Sequence, residues 1–179
     1  MTPLARPKVA IDVRIDCALW KEPAEVRSAI RRAVTATAAA ASTGNAELAI
    51  VLTDDSAIRL LNLRWRGIDR ATNVLSFPAN GLGGNLRHLG DIVLAFETIE
   101  REARTERKPF LHHVAHLTVH GFLHLIGYDH ERDDDAEEME DAERRILQRL
   151  AIPDPYARRA QSVKRVSAKS ASRSRRSSN

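Results

Sequence analysis

The residues from His120 to His130, which read HGFLHLIGYDH, have the composition and spacing of a metal site. His120 and His124 are four residues apart, so on a helix both imidazoles lie on one face, one turn from each other. Gly127 follows three residues later, and glycine readily ends a helix in a left-handed conformation. The chain can then turn back and bring His130 to the same point. Three histidine ligands leave one tetrahedral position open, which is typical of a catalytic zinc site rather than a structural one.

The residue after the first histidine constrains the chemistry further. Zinc suits three imidazoles in tetrahedral geometry, although nickel or copper can bind the same ligands. The spacing matches one group of zinc peptidases, in which a Glu directly after the first His activates water. Here that residue is Gly121, which cannot accept a proton. The sequence therefore disfavours peptide hydrolysis and favours a reaction in which zinc itself lowers the pKa of water to about 7.

Other polar residues near this stretch have less specific patterns. His112 and His116 continue the row of every fourth residue. Each step of four rotates a helix by about 40°, so we expect both to lie off the metal-facing line. Asp129 precedes His130 and can either accept a hydrogen bond from a ligand histidine or cap the following helix.

A candidate phosphate contact lies in the segment from Arg66 to Pro78, which reads RGIDRATNVLSFP. Arginine offers a planar fork of hydrogen-bond donors that matches a phosphate group. A polar loop of this kind between two apolar elements suits contacts with phosphates. Composition alone does not distinguish Arg66 from Arg64 or Arg70.

The whole chain has 179 residues, of which 43% are apolar, and this fits one globular domain over residues 1–156. Cys17 is the only cysteine, which indicates a reducing compartment. There is no apolar N-terminal run and no stretch near the ~18 apolar residues of a membrane span, so we expect a cytoplasmic protein. Residues 157–179 contain eight basic and no acidic side chains. We expect them to form a disordered basic tail, which is either a solvated extension or an arm that attracts RNA phosphates.

Hydrophobic periodicity predicts a mixed order of strands and helices. Strands are expected at 9–15, 47–52, 74–78 and 89–96, and helices at 23–42, near 58–66, near 98–103, at 110–126 and at 131–150. In the second helix, Ile58, Leu61 and Trp65 recur as one apolar stripe and are expected to be buried. The chain is therefore expected to be a single α+β domain, with a small mixed β-sheet of about four strands and helices packed on it. The metal site would lie on its central helix and the following turn.

Four segments together resemble the YbeY family of bacterial metallo-endoribonucleases. They are the histidine stretch, the segment from Arg66 to Pro78, the LGDI run at Leu89–Ile92 and the EEME run at Glu137–Glu140. The resemblance extends from about Val9 to Tyr156. It implies a single-strand-specific RNA hydrolase that acts in maturation of small-subunit ribosomal RNA, including its 3′ end, and in ribosome quality control. RNA and the ribosome would then be its partners.

The resemblance also implies which residues carry the reaction. The zinc ligands of the family correspond to His120, His124 and His130, and its cleft arginine corresponds to Arg66. Zinc would polarise a phosphodiester and supply hydroxide, while Arg66 would stabilise charge that develops on the phosphate. Two other functions stay open at this point. One is a non-catalytic ribosome-assembly factor with a structural zinc, and the other is a metallopeptidase, which Gly121 disfavours.

Overall fold

A computed structural model describes residues 9–79, 87–130 and 132–157. Every helix and strand expected from the sequence is present in these ranges. The elements are β1 (Val9–Ile15), α1 (Pro23–Ala40), β2 (Ala46–Thr53), α2 (Asp55–Arg66), β3 (Val74–Pro78), β4 (Arg87–Ala95), α3 (Phe96–Thr105), α4 (Phe110–Leu125) and α5 (Asp133–Arg149). Most of the expected basic tail, residues 158–179, lies outside the described residues. None of the described helices is long and apolar enough to cross a bilayer.

The four strands form one mixed sheet in the order β1-β2-β4-β3. β1, β2 and β4 run parallel, and β3 is an antiparallel edge strand paired to β4. The predicted alternation of β1 is confirmed, because Val13 is buried while Asp12 and Arg14 are exposed. The α+β class and the small mixed sheet are therefore confirmed as well.

Helices cover both faces of the sheet. On one face, α1 and α4 pack on the strands in the main core, which includes Ile30, Ile50 and Phe122. On the other face, α2 buries Ile58 against β3 and β4. The expectation that Trp65 is buried with Ile58 is wrong, since Trp65 is 63% exposed. The sheet beneath α2 ends at edge strand β3, so the last turn of the helix has little to cover it.

Helix α4 is the central element because it is enclosed on two sides. Pro109 lies at its N-cap and the helix ends at Leu125. One side packs into the main core with the sheet and α1, and the opposite side packs on α5. The residues on the side that faces the main core are Val114, Leu117, Phe122 and Leu125, and those on the side that faces α5 are Ala115, Val119 and Leu123. A helix that is apolar nearly all round is a buried one, which fixes the position of any functional side chain on it.

Gly121 allows α4 to approach the sheet closely. A Cβ atom at this position would lie 3.0 Å from Ile92 Cγ2 and 3.1 Å from Ser76 Oγ. The Ser76 hydroxyl on β3 also donates to the Gly121 carbonyl at 3.2 Å. The helix therefore contacts the sheet directly beside the first candidate ligand, His120.

We expect Gly121→Leu to lower the free energy of unfolding by about 1–3 kcal/mol, since an overpacked core must shift its backbone or its rotamers. Leucine has a much higher helix propensity than glycine, so helix propensity alone would give the opposite sign. Chemical denaturation measures the effect. Gly44→Leu is the control, because nothing lies within 4 Å of a Cβ added at Gly44. A Gly121→Leu protein as stable as wild type would show that the approach is not tight.

Candidate metal centre

The structure brings the three predicted histidines together. His120 and His124 extend from successive turns of α4, with ring centroids 4.6 Å apart. The His130 ring lies 5.8 Å from the first and 4.9 Å from the second. One ligand atom from each of the three lies within 4.8 Å of the others. This arrangement fits one metal ion bound by three imidazoles.

The turn after α4 explains how His130 returns to the site. Gly127 has φ of 101°, in the region that L-residues with a side chain rarely adopt. Its N–H bonds to the His124 carbonyl, and the Tyr128 N–H bonds to the Leu123 carbonyl. This pair of bonds is a Schellman motif. The helix therefore ends where the position of Gly127 predicted, and the chain reverses toward the histidines.

Each helical histidine is held through its Nδ1 atom. The Nδ1–H of His124 donates to the Tyr128 carbonyl at 2.9 Å, and the Nδ1–H of His120 donates to Glu143 Oε1 at 2.7 Å. These bonds leave a lone pair on Nε2 of each ring. The two Nε2 atoms are 3.1 Å apart. Two ligands of tetrahedral zinc are separated by about 3.3 Å when each bond is about 2.0–2.1 Å, so the donor atoms fit such an ion.

Protonation also favours ligation by His124. Burial, together with the neighbouring His120, lowers the pKa of His124. A lowered pKa keeps the imidazole neutral near pH 7, and the neutral form is the one that binds a metal.

Glu143 on α5 is a site residue that the sequence analysis missed. Its side chain is 1% exposed. Oε2 accepts a hydrogen bond from His116 Nε2 at 2.8 Å and another from the Tyr156 hydroxyl. Burial opposes ionisation, but the bonds from His116 and His120 outweigh it and lower the pKa of Glu143 to about 2. The carboxylate therefore stays charged and fixes the ring of His120.

A signal for Glu143 was present in the sequence. Residues Met139, Ala142 and Ile146 form the apolar stripe of α5, and Glu143 falls on the same stripe. A lone acidic residue on a buried stripe must find a partner, because an unpaired buried charge is very costly. The helical pattern could thus have indicated a buried carboxylate, although not its partner.

The histidines open into a cavity of ≈ 770 Å³. Arg66 lines this cavity from the end of α2, together with Asn73 and Ser76. Arg64 and Arg70 are not among its lining residues in the described part of the chain. The structure therefore separates Arg66 from the two arginines that composition left equivalent.

The remaining candidates take supporting positions. His116 is off the metal-facing line, as expected, and bonds to the same carboxylate as His120. The Asp129 carboxylate accepts the backbone N–H of His130 at 2.7 Å. It does not cap α5, which begins at Asp133 with Arg132 at the N-cap. The capping role considered for Asp129 is therefore wrong.

Comparison with known proteins assigns the chain to a family. The family model described as Endoribonuclease YbeY matches residues 14–151. The chain belongs to this family. A Rhodopseudomonas palustris protein named Endoribonuclease YbeY is 55% identical over 163 residues, which is 88% of this chain and 85% of the relative. A Nitrobacter hamburgensis protein of the same name is 56% identical over 161 residues, 86% of this chain and 84% of its own length.

A solved structure supports the fold of this YbeY chain. The solution structure of TM1509 from Thermotoga maritima superposes with a TM-score of 0.52 at 23% sequence identity. The match covers 79% of this chain and 91% of the other. At this identity the comparison concerns the fold alone. The resemblance to the YbeY family expected from the sequence is confirmed by the family match.

We expect Glu143→Gln to weaken metal binding by about 10–100-fold, the usual effect of losing a partner of a ligand histidine. The amide keeps the shape of the side chain but is neutral and replaces one acceptor oxygen with a donor. Competition with a chromogenic chelator measures the affinity. Glu140→Gln is the matched control on the same helix, because Glu140 pairs with Arg144 near the surface. Equal affinity in the two variants would remove Glu143 from the site.

Proposed function

We propose that this chain is a metal-dependent endoribonuclease that cleaves single-stranded RNA during maturation of small-subunit ribosomal RNA, including its 3′ end, and in ribosome quality control. The family match and the name shared by its relatives support the endoribonuclease activity. The observation that carries the proposal is the pair of Nε2 atoms, 3.1 Å apart, on a cavity that Arg66 also lines. Ribosomal partners and a cytoplasmic location stay predictions from the resemblance and the sequence.

We propose that His120, His124 and His130 hold a zinc ion. A zinc ion bound there supplies Lewis acidity, which polarises a phosphodiester and lowers the pKa of water to about 7. The chain contributes the orientation, since Glu143 and the Tyr128 carbonyl each fix one imidazole through Nδ1. Burial lowers the pKa of His124, which favours the neutral imidazole that binds a metal.

Arg66 acts on the phosphate in this proposal. Its guanidinium can donate two parallel hydrogen bonds to the non-bridging oxygens of a phosphodiester that enters the cavity. Charge grows on those oxygens as the nucleophile attacks, so the donors bind the transition state more strongly than the ground state. Arg66 lies at the end of α2, whereas His120 and His124 lie on α4, and all three side chains line the same cavity.

Removal of the metal is expected to abolish cleavage while the fold is retained. α4 is enclosed by the sheet and α5, and apolar contacts rather than the metal hold it there. Chelation and His124→Ala should therefore both reduce cleavage of single-stranded RNA to background, with an unchanged far-UV circular dichroism spectrum. Added zinc should restore only the chelated wild type. If chelation unfolds the chain and the purified holoprotein cuts no RNA, zinc is structural and the chain is an assembly factor.

We expect Arg66→Ala to lower kcat by about 10²–10³, the usual effect of losing one preorganised donor to a developing oxyanion. Metal content should stay at the wild-type level, which atomic absorption checks. Arg104→Ala is the control, because Arg104 pairs with Glu100 on the exposed side of α3. Wild-type cleavage by the Arg66 variant would exclude this arginine from the reaction.

A further inference from the structure

Trp65 is an exposed aromatic residue beside the metal cavity. It lies in the last turn of α2, directly before Arg66, and is 63% exposed. The other tryptophan, Trp20, is 4% exposed and donates its ring N–H to the Thr53 carbonyl at 2.8 Å. The sheet ends at β3 beneath this turn of the helix, which leaves the Trp65 ring open to solvent.

The surroundings of Trp65 connect it to the cavity. Phe77 meets its ring nearly edge-on, with centroids 6.1 Å apart and an interplanar angle of 64°. Phe77 lies on the edge strand β3 between Ser76 and Pro78, which both line the metal cavity. Trp65 is therefore separated from the cavity only by the outermost strand of the sheet.

Trp65 has an arginine on each side of it along the chain. The Arg64 guanidinium lies 5.4 Å from the Trp65 ring centroid. Arg66 is the next residue along the chain and lines the cavity. Neither arginine has an acidic partner among the described residues, whereas Arg59 on the same helix is paired with Asp69. An exposed aromatic ring next to arginines without an acidic partner is a combination that binds single-stranded nucleic acid.

We propose that Trp65 stacks on a base of single-stranded RNA whose backbone passes Arg66 into the metal cavity. The inference rests on the proposed function and deepens it by assigning the preference for single strands to one residue. Because Trp65 directly precedes Arg66, we expect the stacked base to belong to a nucleotide within a few positions of the phosphate that Arg66 contacts. The bases of a duplex are stacked on each other, and only unpaired bases can be splayed onto an aromatic side chain.

Binding is tested by fluorescence anisotropy of a short labelled oligoribonucleotide at fixed salt. The titrations use the His124→Ala background, so that the RNA stays intact. We expect Trp65→Ala to weaken binding about tenfold, within the range for loss of one base–aromatic stack. Trp65→Phe should keep the affinity within about twofold, since a smaller ring still stacks. Tryptophan fluorescence should be quenched by single-stranded RNA when Trp65 is present and not in Trp65→Phe.

A matched control tests whether the loss of RNA affinity is particular to Trp65 or follows the removal of any exposed apolar side chain of α2. Leu60 is 67% exposed on the same helix, and Leu60→Ala should leave RNA affinity unchanged. If Trp65→Ala also binds RNA with unchanged affinity, stacking is excluded, and the exposed apolar side chains of α2 would fit a protein partner instead.

A second experiment locates the base. A series of oligonucleotides is used, each of which lacks one base at a different position near the cleavage site. Cleavage of each is measured with the metal-loaded wild type and with Trp65→Ala. At one position the abasic substrate should raise KM for wild type but cause no further increase for Trp65→Ala. If the missing base raises KM by the same factor for Trp65→Ala as for wild type at every position, the proposal is overturned. Wild-type protein that binds RNA with Trp65 quenched but does not cleave it would contradict the proposed nuclease function while supporting the stacking contact.

Discussion

The buried Glu143 carboxylate joins α4, α5 and the C-terminal segment. It is 1% exposed and accepts hydrogen bonds from His116, His120 and Tyr156. Burial of a charge costs several kcal/mol even when it is paired, and apolar residues of similar volume often give equal or greater stability. Stability alone therefore does not account for an acid at this position. An apolar side chain could not hold the Nδ1–H of His120, and that bond keeps the Nε2 lone pair directed into the cavity.

Packing and hydrogen bonds fix the side chains of α4 along much of its length. Between the sheet on one side and α5 on the other, several polar side chains of the helix meet a hydrogen-bond partner. His113 bonds to Glu102 at 2.7 Å, and His124 bonds to the Tyr128 carbonyl. A helix fixed by packing on two sides and by hydrogen bonds at its edge holds its histidine side chains more precisely than a loop would. His130 lies beyond the turn, and the turn is itself fixed by the bonds around Gly127.

The parts of the site predictable from the sequence are those that depend on local geometry. The spacing of His120 and His124 and the stop at Gly127 are properties of one helix and its end, so the pattern determined them. Glu143 reaches His120 from another helix, and no local rule states which helices will pack together. Trp65 was placed on the buried stripe because helical periodicity assumes a surface beneath every turn. The strand order β1-β2-β4-β3 puts a short edge strand there, so the periodicity failed at the point where the sheet ends.

Gly121 connects the packing of the fold to the kind of reaction it can support. The position after the first histidine is where the peptidases with this ligand spacing carry their general base. In this fold that position faces Ile92 and Ser76 at contact distance, so a glutamate there would be driven into the sheet. A carboxylate base cannot be supplied from this position on α4 without moving the helix off the strands. Under the proposed function, a metal held by the three histidines would acidify water without a carboxylate base, and Arg66 would stabilise charge that develops on a phosphodiester.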